Sequence, residues 1–160
     1  MKKKLTWSAV GIVGLFAVLQ LFNPARENPA VRADFLAATR PPPAVAAGLR
    51  AACYDCHSNE TRWPWYARLA PVSWLIARDV NEGRQHLNLS AWSSEPARAA
   101  KNLDRMNEVI DYREMPPAKY TLLHPAARLD ASRRQDILDW TAAAAEQWRG
   151  ATNLSPHAPL

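Results

Sequence analysis

The sequence predicts an all-α protein in three parts: an N-terminal membrane-spanning helix, a proline-rich tether and a helical domain. Three observations carry this. Beyond residue 42, apolar residues recur at helical spacing in four segments, with no credible strand between them. Glycine is sparse at 5 while proline reaches 13, which disfavours strand-rich folds with many tight turns. Leu5 to Phe22 carries no charge of either sign. At 160 residues, 48% apolar and 22% charged, the chain has room for one core and an appendage. No GxGxxG or GxxxxGKS run occurs, so a nucleotide-binding enzyme is not expected.

The first element, residues 1–22, is read as a transmembrane anchor. A helix over Leu5 to Phe22 would span about 27 Å, close to a bilayer core. Lys2, Lys3 and Lys4 precede it and orient its N-terminus to the cytoplasm, so the remainder is exported. A cleaved signal peptide is the competing reading, but the nearest small-x-small site, Val31-Arg32-Ala33, lies well beyond Phe22. These three lysines also account for most of the formal charge of +5, leaving 17 basic against 15 acidic residues. Nucleic acid is therefore not an expected partner. Residues 23–42, rich in proline, read as an extended tether.

The domain is expected over residues 43–150, with a tail at 151–160. Its first helix runs from Pro43 to about Cys56, with Val45, Leu49 and Ala52 on one face. A second runs from Pro71 to about Arg84 and presents Trp74, Leu75 and Ala77. The third is capped by Ser94 and aligns Leu103, Met106 and Ile110. The fourth is capped by Asp130, carries Ile137, Trp140, Ala144 and Trp148, and stops at Gly150. The first and fourth helices are expected to cross at Gly48, where the missing side chain permits close approach and Trp140 fills the contact. Two long connections, Ser58 to Ala70 and Arg113 to Leu129, have the length of functional loops.

Cys53-Tyr54-Asp55-Cys56-His57 is the CxxCH pattern of c-type haem attachment. Two thiols one helical turn apart reach the two vinyl groups of one porphyrin, and the adjacent imidazole points at the iron. Three alternatives use the same cysteines. A thioredoxin-like dithiol wants a βαβ context that is missing. A zinc site needs further ligands from His86, His124 or His157. A plain disulfide leaves His57 unexplained. The expected cofactor is one covalent haem c, with His57 as proximal ligand.

The run from Cys53 to Trp74, then DVNEGR at 79–84, LNLSAW at 87–92 and EMPP at 114–117, resembles the bacterial haem-binding domain family of small monohaem c-type cytochromes. The resemblance covers about Arg40 to Trp148 and implies a class I cytochrome c-like fold with inferred electron transfer. It also implies a distal methionine from the loop between the last two helices. Met115 sits there, held by Pro116 and Pro117, and a thioether raises the potential relative to a second imidazole. His124 is the rival ligand, and Met106 is read as core. Trp63, Trp65 and Tyr66 either pack in the core or wall the porphyrin and donate to its propionates, and Arg62 and Arg68 could neutralise those propionates, although a solvated arginine is the more common case. A carbonyl in the Pro64 to Pro71 loop is the expected acceptor for the other ring nitrogen of His57.

The resulting expectation is an electron carrier rather than an enzyme. It would be anchored in a bacterial inner membrane with its domain in the periplasm, passing one electron between redox protein partners. The alternatives are a haem sensor or redox enzyme with an open sixth iron position, and a cytochrome subunit of a larger dehydrogenase. Diheme peroxidase chemistry is not expected without a second CxxCH.

Overall fold

The computed structural model describes residues 2–154, among which the chain forms eight α-helices and no strand. α1 (Lys2–Leu19) is apolar from Leu5 onward, a run of about 22 Å. The expected single span to Phe22 does not form. Gln20–Phe22 tightens into a 3-10 turn where Gln20 faces the domain: its Nε2 donates to Ala70 O at 3.3 Å, and the Ala70 N–H donates to Gln20 Oε1 at 3.0 Å. Three lysines occupy the start of α1, leaving it short of the roughly 20 apolar residues a crossing needs. Among the described residues no helix is long and apolar enough to cross a membrane. The apolar side chains of α1 nevertheless stand in the open, Trp7 at 76% exposed.

Residues 23–42 are a strap on the domain rather than a free tether. The Arg32 and Ala33 N–H groups donate to Ser90 O, Phe35 N–H donates to Leu89 O, and Trp92 N–H donates to Ala33 O, all at 2.9–3.1 Å. Prolines exclude a long helix here but leave extended backbone free to pair in this way. A short helix, α2 (Phe35–Thr39), is capped by Asp34 Oδ1, which accepts from Ala37 N–H at 2.7 Å. Phe35 is fully buried, its ring 4.6 Å from Trp92 and edge-on to Trp140 at 5.9 Å.

α3 (Pro43–Ala52) starts on Pro43, whose missing N–H is harmless in a first turn. It buries Val45, Leu49 and Ala52 as expected, but it stops at Cys53, and α4 (Tyr54–His57) is a separate turn. α5 (Val72–His86) buries Ser73, Ala77, Val80 and Gly83. Trp74 and Leu75, the large apolar residues of this segment, are exposed. α6 (Pro96–Asp111) buries Leu103, Met106 and Ile110, and Glu95 rather than Ser94 occupies its cap position. The second long connection is not irregular: it holds α7 (Ala118–Leu123) and a 3-10 turn at Pro125–Ala127.

α8 (Ala131–Leu154) is capped by Asp130, whose Oδ1 accepts from Arg133 N–H at 2.8 Å, and it continues past Gly150, its expected end. The remaining tail, with His157, lies outside the described residues. α6 and α8 run antiparallel: Arg134 Nη1 donates to Ile110 O, Asn107 Nδ2 to Thr141 Oγ1, and Arg149 Nη2 to Asp104 Oδ1, each at 2.7 Å. Between them and α3 lies the core, where Leu49, Leu103 and Ile137 are essentially fully buried. Each such side chain contributes about 1.5–3 kcal/mol. α3 does meet α8 at Gly48, but a side chain there would face Ile137 Cδ1 at 3.3 Å. Ile137, not Trp140, fills that crossing, because Trp140 is turned toward Phe35 in the strap.

Candidate functional site

Cys53 ends α3 with its N–H on Leu49 O, and the Cys56 and His57 N–H groups both donate back to Cys53 O at 3.3 and 2.9 Å. The motif is thus one closed turn, which brings residues three apart onto one face. Both cysteines are free, half-buried thiols. Burial, reinforced by neighbouring negative charge, pushes Cys53 up to about 12 and Cys56 up to about 11. Thiol–disulfide catalysts need the opposite, a stabilised thiolate. Among the described residues no three His, Cys, Asp or Glu side chains gather as a metal cage would require, and His157, one of the expected zinc ligands, lies outside them.

His57 sits in a two-point cradle. Its carbonyl accepts Leu89 N–H at 2.7 Å, and its Nδ1 donates to Leu87 O at 3.1 Å. A carbonyl only accepts, so the proton is on Nδ1 and the Nε2 lone pair is left for a ligand. Burial holds the imidazole below its ordinary pKa, against the raising effect of the Leu87 hydrogen bond, which keeps the ring neutral as coordination requires. The acceptor is Leu87, just past α5, and not the expected Pro64 to Pro71 loop.

Three of the four sequence runs that carry the family resemblance, all but residues 114–117, meet around this cradle. Gly83 lies so close to the motif that a Cβ there would be 2.6 Å from Cys56 O. Arg84 donates from Nε to Ser58 O and from Nη2 to Thr61 Oγ1 and Asn28 Oδ1, tying the loop after His57 to the strap. Asn88 Nδ2 donates to Asn59 Oδ1, and Ser90 Oγ accepts Asn59 N–H.

Asp55, between the cysteines, is 7% exposed. Its carboxylate accepts from Arg62 Nε and Nη2 at 3.1 and 3.2 Å and from Tyr120 Oη at 2.7 Å. Nothing in the sequence pattern singles out Asp55 or Tyr120, because their pairing joins α4 to a helix too short to show a stripe. The same holds for Lys119, which pairs with Asp79 Oδ2 on α5 at 2.7 Å.

The other expected site residues divide. Met115 is half-buried in its loop, its N–H on Val109 O at 3.1 Å. His124 has both nitrogens engaged: Nδ1 donates to Tyr120 O at 2.9 Å, so Nε2 accepts from Tyr66 Oη at 3.3 Å. Its ring also stacks on Tyr120 at 4.1 Å. Tyr66 thus belongs to the α7 side of the site. Trp63 donates its indole N–H to Asn28 Oδ1 at 3.2 Å and in that position has none to offer a propionate. Trp65 is 74% exposed and touches Tyr66 edge-on. Arg62 is committed to Asp55.

The residues present fit a haem. Two neutral thiols lie one turn apart beside an imidazole with a free Nε2. Trp65 on the 3-10 turn Trp65–Arg68, Leu69 just after it, and Val72 and Leu75 on α5 leave apolar surface uncovered, which a porphyrin face would shield.

Fold and site together define an all-α haem protein domain. The chain belongs to the haem-binding domain family, whose family model matches residues 14–143. It is also similar to the cytochrome c peroxidase Ccp of Escherichia coli (strain K12), with 27% identity over 109 residues, 65% of this chain and 23% of that protein. The match therefore spans less than a quarter of that relative's length. No solved structure matches the chain.

Proposed function

We propose that the protein is a monohaem c-type cytochrome that carries one electron between two redox proteins. The observation that carries this reading is the motif turn itself, with Cys53 and Cys56 placed to form thioethers and His57 held by Leu87 O with Nε2 free. When bound, the haem supplies a one-electron ferric/ferrous couple. His57 serves as proximal ligand, its orientation and tautomer set by the Leu87 carbonyl. Met115 serves as distal ligand, and the double engagement of His124 supports it over that rival. A haem held between His57 and Met115 would be shielded from outside ligands. α1 opens on three lysines and exposes apolar side chains along the rest of its length, which supports attachment to a membrane surface, and in our reading the domain faces the periplasm.

The named relative favours one alternative, a haem enzyme or part of one that acts with an open sixth position. Addition of carbon monoxide to the reduced protein, with a reductive titration, separates the two. A carrier takes up one electron per chain and binds CO slowly. Rapid CO binding together with peroxide turnover would transfer the assignment to the enzyme.

A further inference from the structure

We propose that α7 is a clamp on the distal side of the site. Tyr120 and Lys119 are its positioning residues, and their contacts to Asp55 and Asp79 set how readily the sixth iron position opens to an outside ligand. The inference rests on the reading of Met115 as distal ligand.

The Met115 loop is tied at both ends. At its start, Val109 O accepts the N–H groups of Glu114 and Met115 at 2.9 and 3.1 Å. At its end, Tyr120 Oη donates to Asp55 Oδ2 at 2.7 Å and Lys119 Nζ pairs with Asp79 Oδ2 at 2.7 Å. Lys119 follows Met115 by four positions, a leash of at most about 14 Å. The anchors are the parts that hold the proximal side: Asp55 lies inside the motif, and Asp79 is one turn before Gly83, which abuts Cys56. The clamp therefore joins the distal loop to the haem-attachment turn itself.

α7 has little else to hold it. It has six residues, none of them buried, and a helix that short is unstable alone. Its hold consists of these two short polar contacts, a longer hydrogen bond from Tyr120 Oη to Ala51 O at 3.4 Å, Arg128 Nε on Thr121 O at 3.0 Å and, just past its end, the Tyr66–His124 hydrogen bond. Tyr120→Phe also strips the buried Asp55 of its shortest hydrogen bond, leaving it to Arg62.

The test is stopped-flow CO binding to the reduced holoprotein for wild type, Tyr120→Phe and Lys119→Met, with Phe35→Ala as a control for general destabilisation. Tyr120→Phe should bind CO about tenfold faster, the cost of one hydrogen bond to a charged acceptor, and Lys119→Met should be faster by a smaller factor. Phe35→Ala should keep the wild-type rate. A wild-type rate in Tyr120→Phe, or equal acceleration in Phe35→Ala, overturns the clamp. If wild type already binds CO as fast as Met115→Ala, the ligand reading fails, and amide exchange across residues 116–124 decides the clamp. Exchange there about tenfold faster in Tyr120→Phe supports it; unchanged exchange overturns it.

Discussion

Replacing Gly83 with alanine tests the contact on which the proximal side is built. A Cβ on Gly83 would lie 2.6 Å from Cys56 O, 3.0 Å from its carbonyl carbon and 3.2 Å from its Cβ, against about 3.5–4.0 Å for relaxed carbon contacts. The obstructing atoms are backbone, so no side chain can swing aside and either α5 or the motif turn must move. Overpacking of this kind costs about 1–3 kcal/mol, with backbone collisions at the upper end. The helix preference of alanine over glycine returns about 1 kcal/mol, so a net loss of about 1–2 kcal/mol remains. For a chain of this size that lowers the melting midpoint by roughly 2–8 °C. The displaced peptide joins Cys56 to His57, so haem content per chain should fall as well. Gly48→Ala is the matched control: its Cβ would meet only Ile137 Cδ1 at 3.3 Å, the rotatable end of a side chain, and stability should stay within about 1 kcal/mol of wild type. Melting curves and haem-to-protein absorbance ratios of both variants decide the matter. A Gly83→Ala protein as stable and as haem-replete as wild type would refute the reasoning.

Three further outcomes follow from the same contacts. Phe35→Ala should cost about 3–5 kcal/mol in urea denaturation and open residues 23–42 to proteolysis, whereas a free tether would lose nothing. Met115→Ala should keep its haem, lose the long-wavelength iron–sulfur band of the oxidised protein, shift to lower potential and begin to bind CO; the same changes in His124→Ala alone would pass the distal role to His124. In the haem-free protein both thiols are held neutral by burial, with Cys56 up to about 11 and Cys53 up to about 12. The rate of iodoacetamide alkylation should therefore still be rising at about pH 9.5, and a plateau near the ordinary thiol value of about 8.5 would contradict the buried setting.

The long helices were legible because α3, α6 and α8 each carry a full apolar stripe, and Asp130 announces the start of α8. α5 misled because its largest residues, Trp74 and Leu75, face outward while small Ser73, Ala77 and Gly83 make the close contacts. The strap was hidden by its prolines, although Asp34 followed by Phe35 carries a cap and an anchor. At the site, the cysteine spacing is enough to propose three residues at once. The Leu87 carbonyl was not, since every residue has a carbonyl and only the fold chooses one. Asp55 and Tyr120 were invisible for a related reason: their meaning lies in a pairing 65 residues apart in sequence.

The central claim is that Cys53 and Cys56 bind one haem covalently. The most direct measurement is mass spectrometry of the denatured, acid–acetone-extracted protein and of its proteolytic peptide containing residues 53–57, beside the Cys53→Ala, Cys56→Ala double variant. The account predicts that the wild-type peptide carries the mass of one haem through extraction and that the double variant carries none. A pigment that leaves with the solvent, or a double variant with undiminished bound haem, would contradict it.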